Sequence, residues 1–147
     1  MKNLHENIST LFGLGRIPFA PGTWGSFAGL LVAIVFRGSP LLLGLLFALL
    51  FPLGVFSSGV AERRAGKKDP SDIIIDEFVC ILPIFIITPA EPFYFAAGFL
   101  FYRLIDIIKP PPLGYCEKIK GGWGIMLDDL GAAVYTTVIL RLLSLLI

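Results

Sequence analysis

Ser71-Asp72-Ile73-Ile74-Ile75-Asp76-Glu77-Phe78-Val79 is the stretch on which the reading of the fold turns. It opens an apolar run that continues through Ile87, and it sets an acidic pair inside a segment otherwise suited to lipid. An ionised carboxylate in hydrocarbon costs several kcal/mol unless it is paired, hydrated or bound to a cation. Asp76 and Glu77 are neighbours, so on a helix they lie about 100° apart and cannot both turn from lipid without a shared polar partner. Either the pair marks the membrane surface, or it belongs to a cation site at the mouth of a helix bundle.

The composition supports a lipid setting. Of 147 residues, 56% are hydrophobic and 16% charged, against about 25% charged in an ordinary soluble domain. Mean hydropathy is +0.84. The length suits one domain over residues 1–147. A net charge of +1 without a basic–aromatic groove pattern predicts no nucleic-acid partner. Cys80 and Cys116 show neither metal spacing nor a disulfide framework, and the one histidine, His5, sits in the N-terminal tail. A histidine-based triad or zinc site is therefore not expected. Neither is a cleavable signal peptide, because Met1 to Thr10 is polar and the first long apolar run starts late.

Outward from the acidic pair, five apolar segments emerge: Trp24 to Phe36, Leu41 to Ala61 with Pro52 as an expected kink, Ile73 to Thr88, Phe93 to Ile108, and Ile125 to Ile147. The expected fold class is all-α, a polytopic membrane helix bundle of about five apolar helices, some short or re-entrant. The first segment is short enough to be re-entrant or interfacial. Alternating the connections puts Lys2, Arg16, Arg63, Arg64, Lys67, Lys68, Lys109, Lys118 and Lys120 on one side, and Arg37 with the cation-free turn at Pro89 on the other. The positive-inside rule then assigns the first side to the cytoplasm and the C-terminus to the outside. Five crossings would bring the Gly/Pro-rich N-terminal loop to the same face as the start of the third segment, the end of the fourth and the start of the fifth.

Those helix ends carry the chemistry. Asp76, Glu77, Asp106, Asp128 and Asp129 would repel one another at low effective dielectric and need cations. Oxygen donors without His or Cys select Mg²⁺, Mn²⁺ or Ca²⁺. Asp128 and Asp129 also read as acids favoured at a helix N-terminus. Arg103, Asp106 and Lys109 recur at intervals of three and share roughly one face. They form either a structural ion pair with a snorkelling lysine or a cationic flank for a phosphate. The loop Gly13 to Ser26 offers glycines whose backbone can approach an anion and Thr23 as a cap. Equally, Gly25 and Gly29 read as a small-residue helix contact. Gly121-Gly122-Trp123-Gly124 is a flexible approach to a ligand, or a turn with an interfacial tryptophan.

Four motifs, in order, resemble those of the phosphatidylglycerophosphatase A family: Gly13 to Ser26 (GLGRIPFAPGTWGS), Asp69-Pro70-Ser71 with Ile75-Asp76-Glu77-Phe78, Arg103 to Pro110 (RLIDIIKP), and Gly121 to Asp129 (GGWGIMLDD). The resemblance implies a Mg²⁺-dependent membrane phosphatase that converts phosphatidylglycerophosphate to phosphatidylglycerol and inorganic phosphate. It implies a multi-pass protein of the bacterial inner membrane with its site toward the cytoplasm. Partners would be the bilayer and its phospholipid substrate, with homo-oligomerisation left open. Carried over by residue, Asp76, Glu77, Asp106, Asp128 and Asp129 would hold metal. Asp76, Glu77, Asp106, Asp129 and Arg103 would be catalytic, and Arg16, Thr23, Ser26, Arg103 and Lys109 would face the substrate phosphate. Cys80 stands where relatives usually have glycine, and Lys120 where some have histidine.

Two other classes compete. One is another lipid-headgroup enzyme such as a CDP-alcohol phosphotransferase, a class whose spaced Asp-Gly and Ala-Arg pattern is missing from the sequence. A cation transporter or channel would place its acids near the bilayer midplane rather than toward one face.

Overall fold

The computed structural model describes residues 4–147; Lys2 lies outside them. Among the described residues the chain is all-helical, without strands. Its helices are α1 (Leu4–Ser9), α2 (Pro21–Val35), α3 (Pro40–Ala65), α4 (Ile75–Cys80), α5 (Ile84–Ile87), α6 (Pro92–Ile108), α7 (Leu113–Cys116) and α8 (Gly122–Leu146). Proline opens α2, α3 and α6, where its missing N–H costs nothing and its fixed φ favours the first turn. α3 continues through Pro52 and stops at Gly66, whose φ of 62° is the left-handed conformation that ends helices.

Four of the five predicted apolar segments are single helices, α2, α3, α6 and α8. The third is not. Ile73 to Thr88 breaks into α4 and α5, of 6 and 4 residues. Pro83 is the cause: it cannot donate to the carbonyl four residues back and its ring crowds that carbonyl. The chain there tightens to three-residue bonds, with Leu82 N–H on Val79 O at 3.2 Å and Ile86 N–H on Pro83 O at 3.2 Å. At about 1.5 Å per residue, neither piece approaches the roughly 30 Å of a bilayer core. This segment is apolar because protein surrounds it. Ile74, Val79, Cys80, Ile81, Leu82 and Ile84 are fully buried, and α4 packs against α2, α3 and α8.

The outer helices turn apolar side chains outward. Leu41, Leu45, Leu49 and Phe56 of α3, Leu100, Leu104 and Ile107 of α6, and Val134, Val138 and Leu142 of α8 are all exposed. Helices α3 and α8, of 26 and 25 residues, are long and apolar enough to cross a membrane, and α2 is a shorter apolar helix. Only 22% and 28% of their apolar windows is buried, unlike the core helix of a soluble protein.

Close backbone approach sets the helix spacing. A Cβ at Gly122 would lie 1.7 Å from Val55 O, so α8 starts directly against the backbone of α3. Gly25 and Gly29 abut the backbone of residues 74 and 78, the small-residue contact that the sequence allowed. This packing brings the first turns of α2, α4 and α8 and the last turns of α6 to one end of the bundle.

Candidate active site

That end holds a cleft of about 460 Å³. From α4 it takes Asp76 and Glu77, from α6 Arg103 and Asp106, and from α8 Asp128 and Asp129. Lys109, Asp69 and the Ala20–Thr23 opening of α2 complete it. The five carboxylates named from the sequence therefore share one cavity although they lie far apart in the chain.

They are not equivalent. Asp106 accepts a 2.6 Å hydrogen bond from Arg103 Nη1, which also lies 3.8 Å from Glu77 Oε1. Asp128 Oδ2 accepts from Lys109 Nζ at 2.7 Å, while its Oδ1 accepts from the backbone N–H of Asp129 at 3.0 Å. Those two acids are neutralised. Asp76, Glu77 and Asp129 remain: one carboxylate oxygen from each lies within 4.8 Å of the other two. Asp129 Oδ2 accepts from the buried Tyr102 hydroxyl at 3.2 Å. Asp76 Oδ1 and Glu77 Oε2 are buried with no hydrogen-bond partner among the described residues. Buried carboxylate oxygens without partners are costly, and two cations cannot neutralise five acids. An all-oxygen, anionic donor set of this kind suits a hard divalent ion.

The cationic flank is fixed in place. Lys109 caps α6 with φ 48°, a conformation that usually selects glycine. Its ammonium bridges Asp128 and Glu117. Partial burial alone would lower the Lys109 pKa, but the hydrogen bonds it donates to Asp128 and Glu117 outweigh it and hold the group above the ordinary lysine value. A raised folded-state pKa contributes stability that is complete below the unfolded value of about 10.4 and fades only as pH climbs through the folded one. Lys109 is thus a permanent cation at physiological pH, not a proton carrier. Lys109→Met should lower kcat/KM about tenfold and destabilise the fold by about 2 kcal/mol by stranding Asp128, as read by phosphate release and thermal unfolding.

Two sequence-named residues sit elsewhere. Arg16, in the 3₁₀ turn Leu14–Arg16, lines a separate pocket with Glu6, Arg64 and Asp72. The tight approach of Gly15 to Asp72 O pins that turn against the chain ahead of α4, which keeps Arg16 out of the cleft. Ser26 is fully buried one turn below the cleft, donating to Gly22 O at 2.9 Å and facing Arg103 Nη1 at 3.4 Å. It supports the guanidinium from beneath rather than lining the cavity. Thr23 does line it.

Tyr102 and Glu117 were not named from the sequence, and Asp69 and Gly22 stood there only as members of motifs, without a site role. Tyr102 carried a readable signal, lying one helical turn before Asp106 on the same face. Glu117 carried none, since only the folding of the loop brings it to Lys109.

The phosphatidylglycerophosphatase A family model matches residues 7–144. The chain belongs to this family. Phosphatidylglycerophosphatase A of Haemophilus influenzae is 38% identical over 135 residues, covering 87% of this chain and 81% of the relative. The Escherichia coli protein of the same name is 32% identical, covering 95% and 83%. A Bacteroides thetaiotaomicron protein, provisionally named a phosphatidylinositol-3-phosphatase, is 33% identical, covering 90% and 89%. No solved structure matches. Family membership makes the chain an enzyme, a phosphatase, and its four family motifs supply nearly all of the cleft.

Proposed function

We propose that the protein hydrolyses the terminal phosphomonoester of phosphatidylglycerophosphate in a Mg²⁺-dependent reaction, releasing phosphatidylglycerol and inorganic phosphate at the cytoplasmic face of the bacterial inner membrane. The observation that carries this reading is the pair of unpartnered, buried oxygens of Asp76 and Glu77 beside Asp129, flanked by Arg103 and Lys109.

Asp76, Glu77 and Asp129 would hold the ion. Asp106 and Asp128, already engaged by Arg103 and Lys109, serve by orienting those cations. When bound, a divalent ion polarises phosphoryl oxygens and lowers the pKa of an attacking water. Arg103 and Lys109 face the phosphoryl group and offset the charge that grows on it. The first turn of α2, where the Gly22 N–H has no intrahelical partner, favours an anion in the same place. Tyr102 holds Asp129 in position through its hydroxyl.

The membrane setting is supported by the outward apolar faces of α2, α3, α6 and α8 and by the two long helices. Arg63 and Arg64 in the last turn of α3, and Lys67, Lys68, Lys118 and Lys120 in the loops at the cleft end, support a multi-pass topology with that end in the cytoplasm. Carboxylates gathered at one end of the bundle speak against a transport path centred on the midplane.

Purified protein in mixed micelles should release phosphate from phosphatidylglycerophosphate with Mg²⁺ and stop with excess EDTA. Phosphatidic acid and phosphatidylinositol 3-phosphate, assayed beside it, should react at least tenfold more slowly. Equal turnover of all three, or release unaffected by EDTA, would overturn this assignment.

A further inference from the structure

A second pocket, of about 550 Å³, opens at the same end of the bundle. Arg63 and Lys67 reach it from the end of α3 and the loop beyond, Lys68 from that loop, and Lys120 with Gly121 from the approach to α8. Its one acid, Glu62, has an oxygen engaged by the backbone N–H of Asp69 at 3.2 Å. Arg63, Lys67, Lys68 and Lys120 make no ion pair among the described residues. Two residues beyond Gly121, Trp123 is 55% exposed, its ring edge-on to Phe51 at 6.3 Å. An amphipathic aromatic ring of this kind favours headgroup depth.

Cations needed only to orient a chain in the membrane have no reason to converge. Four unpaired cations around one concavity repel one another, and an anion relieves that repulsion. Basic groups beside the inner leaflet attract anionic headgroups at about 1 kcal/mol each. We propose that this pocket binds the phosphodiester headgroup of an anionic phospholipid, separately from the catalytic cleft. The exposed tryptophan at the start of α8 suits headgroup depth near this end of the bundle, which favours a lipid-borne phosphodiester over free phosphate. The proposal does not depend on which lipid the enzyme hydrolyses.

The test is retention of phosphatidylglycerol by the full chain in nonionic detergent, measured by native mass spectrometry, with phosphatidylcholine and inorganic phosphate as comparison arms. Wild type should retain phosphatidylglycerol over phosphatidylcholine, and millimolar inorganic phosphate should not displace it. Arg63→Gln/Lys67→Gln/Lys68→Gln/Lys120→Gln should weaken retention at least about tenfold. Lys67→Arg/Lys68→Arg/Lys120→Arg, which keeps every charge, should retain the lipid as wild type does and so separates lost charge from lost folding. Undiminished retention by the glutamine variant, equal retention of phosphatidylcholine, or displacement by inorganic phosphate would overturn the proposal. Failure of phosphatidylglycerophosphate hydrolysis would leave this binding result unaffected.

Discussion

Asp76→Asn and Asp129→Asn should each lower phosphate release from phosphatidylglycerophosphate by about three orders of magnitude, while the folded protein becomes no less stable. The two halves of that expectation share one cause. Asp76, Glu77 and Asp129 are held close together with only Arg103 near Glu77 to offset them. In metal-free protein, removing one of these charges relieves repulsion in a poorly solvated cavity. In the working enzyme the same change removes an anionic oxygen ligand from the ion. The check is a pair of measurements on each variant: phosphate release with Mg²⁺, and thermal unfolding in EDTA. Loss of activity accompanied by a large fall in unfolding temperature would instead assign these acids a structural role.

Gly22→Ala should lower kcat/KM about a hundredfold without lowering the unfolding temperature. A Cβ at position 22 would lie 2.2 Å from Glu77 Oε1 and 3.1 Å from Arg103 Nη2. The methyl group must displace either the triad's glutamate or the guanidinium, and a misplacement of about 1 Å can cost about 10² in rate. Residue 22 lies in the first turn of α2, where alanine is the better helix former. Global stability is therefore spared, and kinetics alone should report the change. Wild-type kcat/KM in Gly22→Ala would mean that Glu77 and Arg103 do not need their observed positions.

Much of this was legible in the sequence because lipid and protein interiors impose simple rules. Uninterrupted apolar runs marked α3 and α8, and charges inside such runs marked Asp76, Asp106 and Asp129. The rule fails where two apolar environments look alike. Ile73 to Ile87 reads as a membrane crossing, yet here it is the core around which the other helices pack, and Pro83 breaks it. A segment apolar on all sides fits either setting, and the proline is the local sign that separates them. Side-chain direction from a loop is harder to read. Arg16 and Thr23 belong to one motif, but the turn at Leu14–Arg16 sends the first away and the start of α2 brings the second into the cleft. The division of five acids into three that converge and two bound by Arg103 and Lys109 follows from distances between helices, which spacing along the chain does not encode.

The central claim is that Asp76, Glu77 and Asp129 together hold a divalent ion. Mn²⁺ takes the same oxygen ligands as Mg²⁺ and is visible by electron paramagnetic resonance. A Mn²⁺ titration of the substrate-free protein should show saturable binding in wild type that Mg²⁺ displaces, and no such binding in folded Asp76→Asn/Glu77→Gln/Asp129→Asn. Saturable binding that survives in the triple variant would contradict the claim.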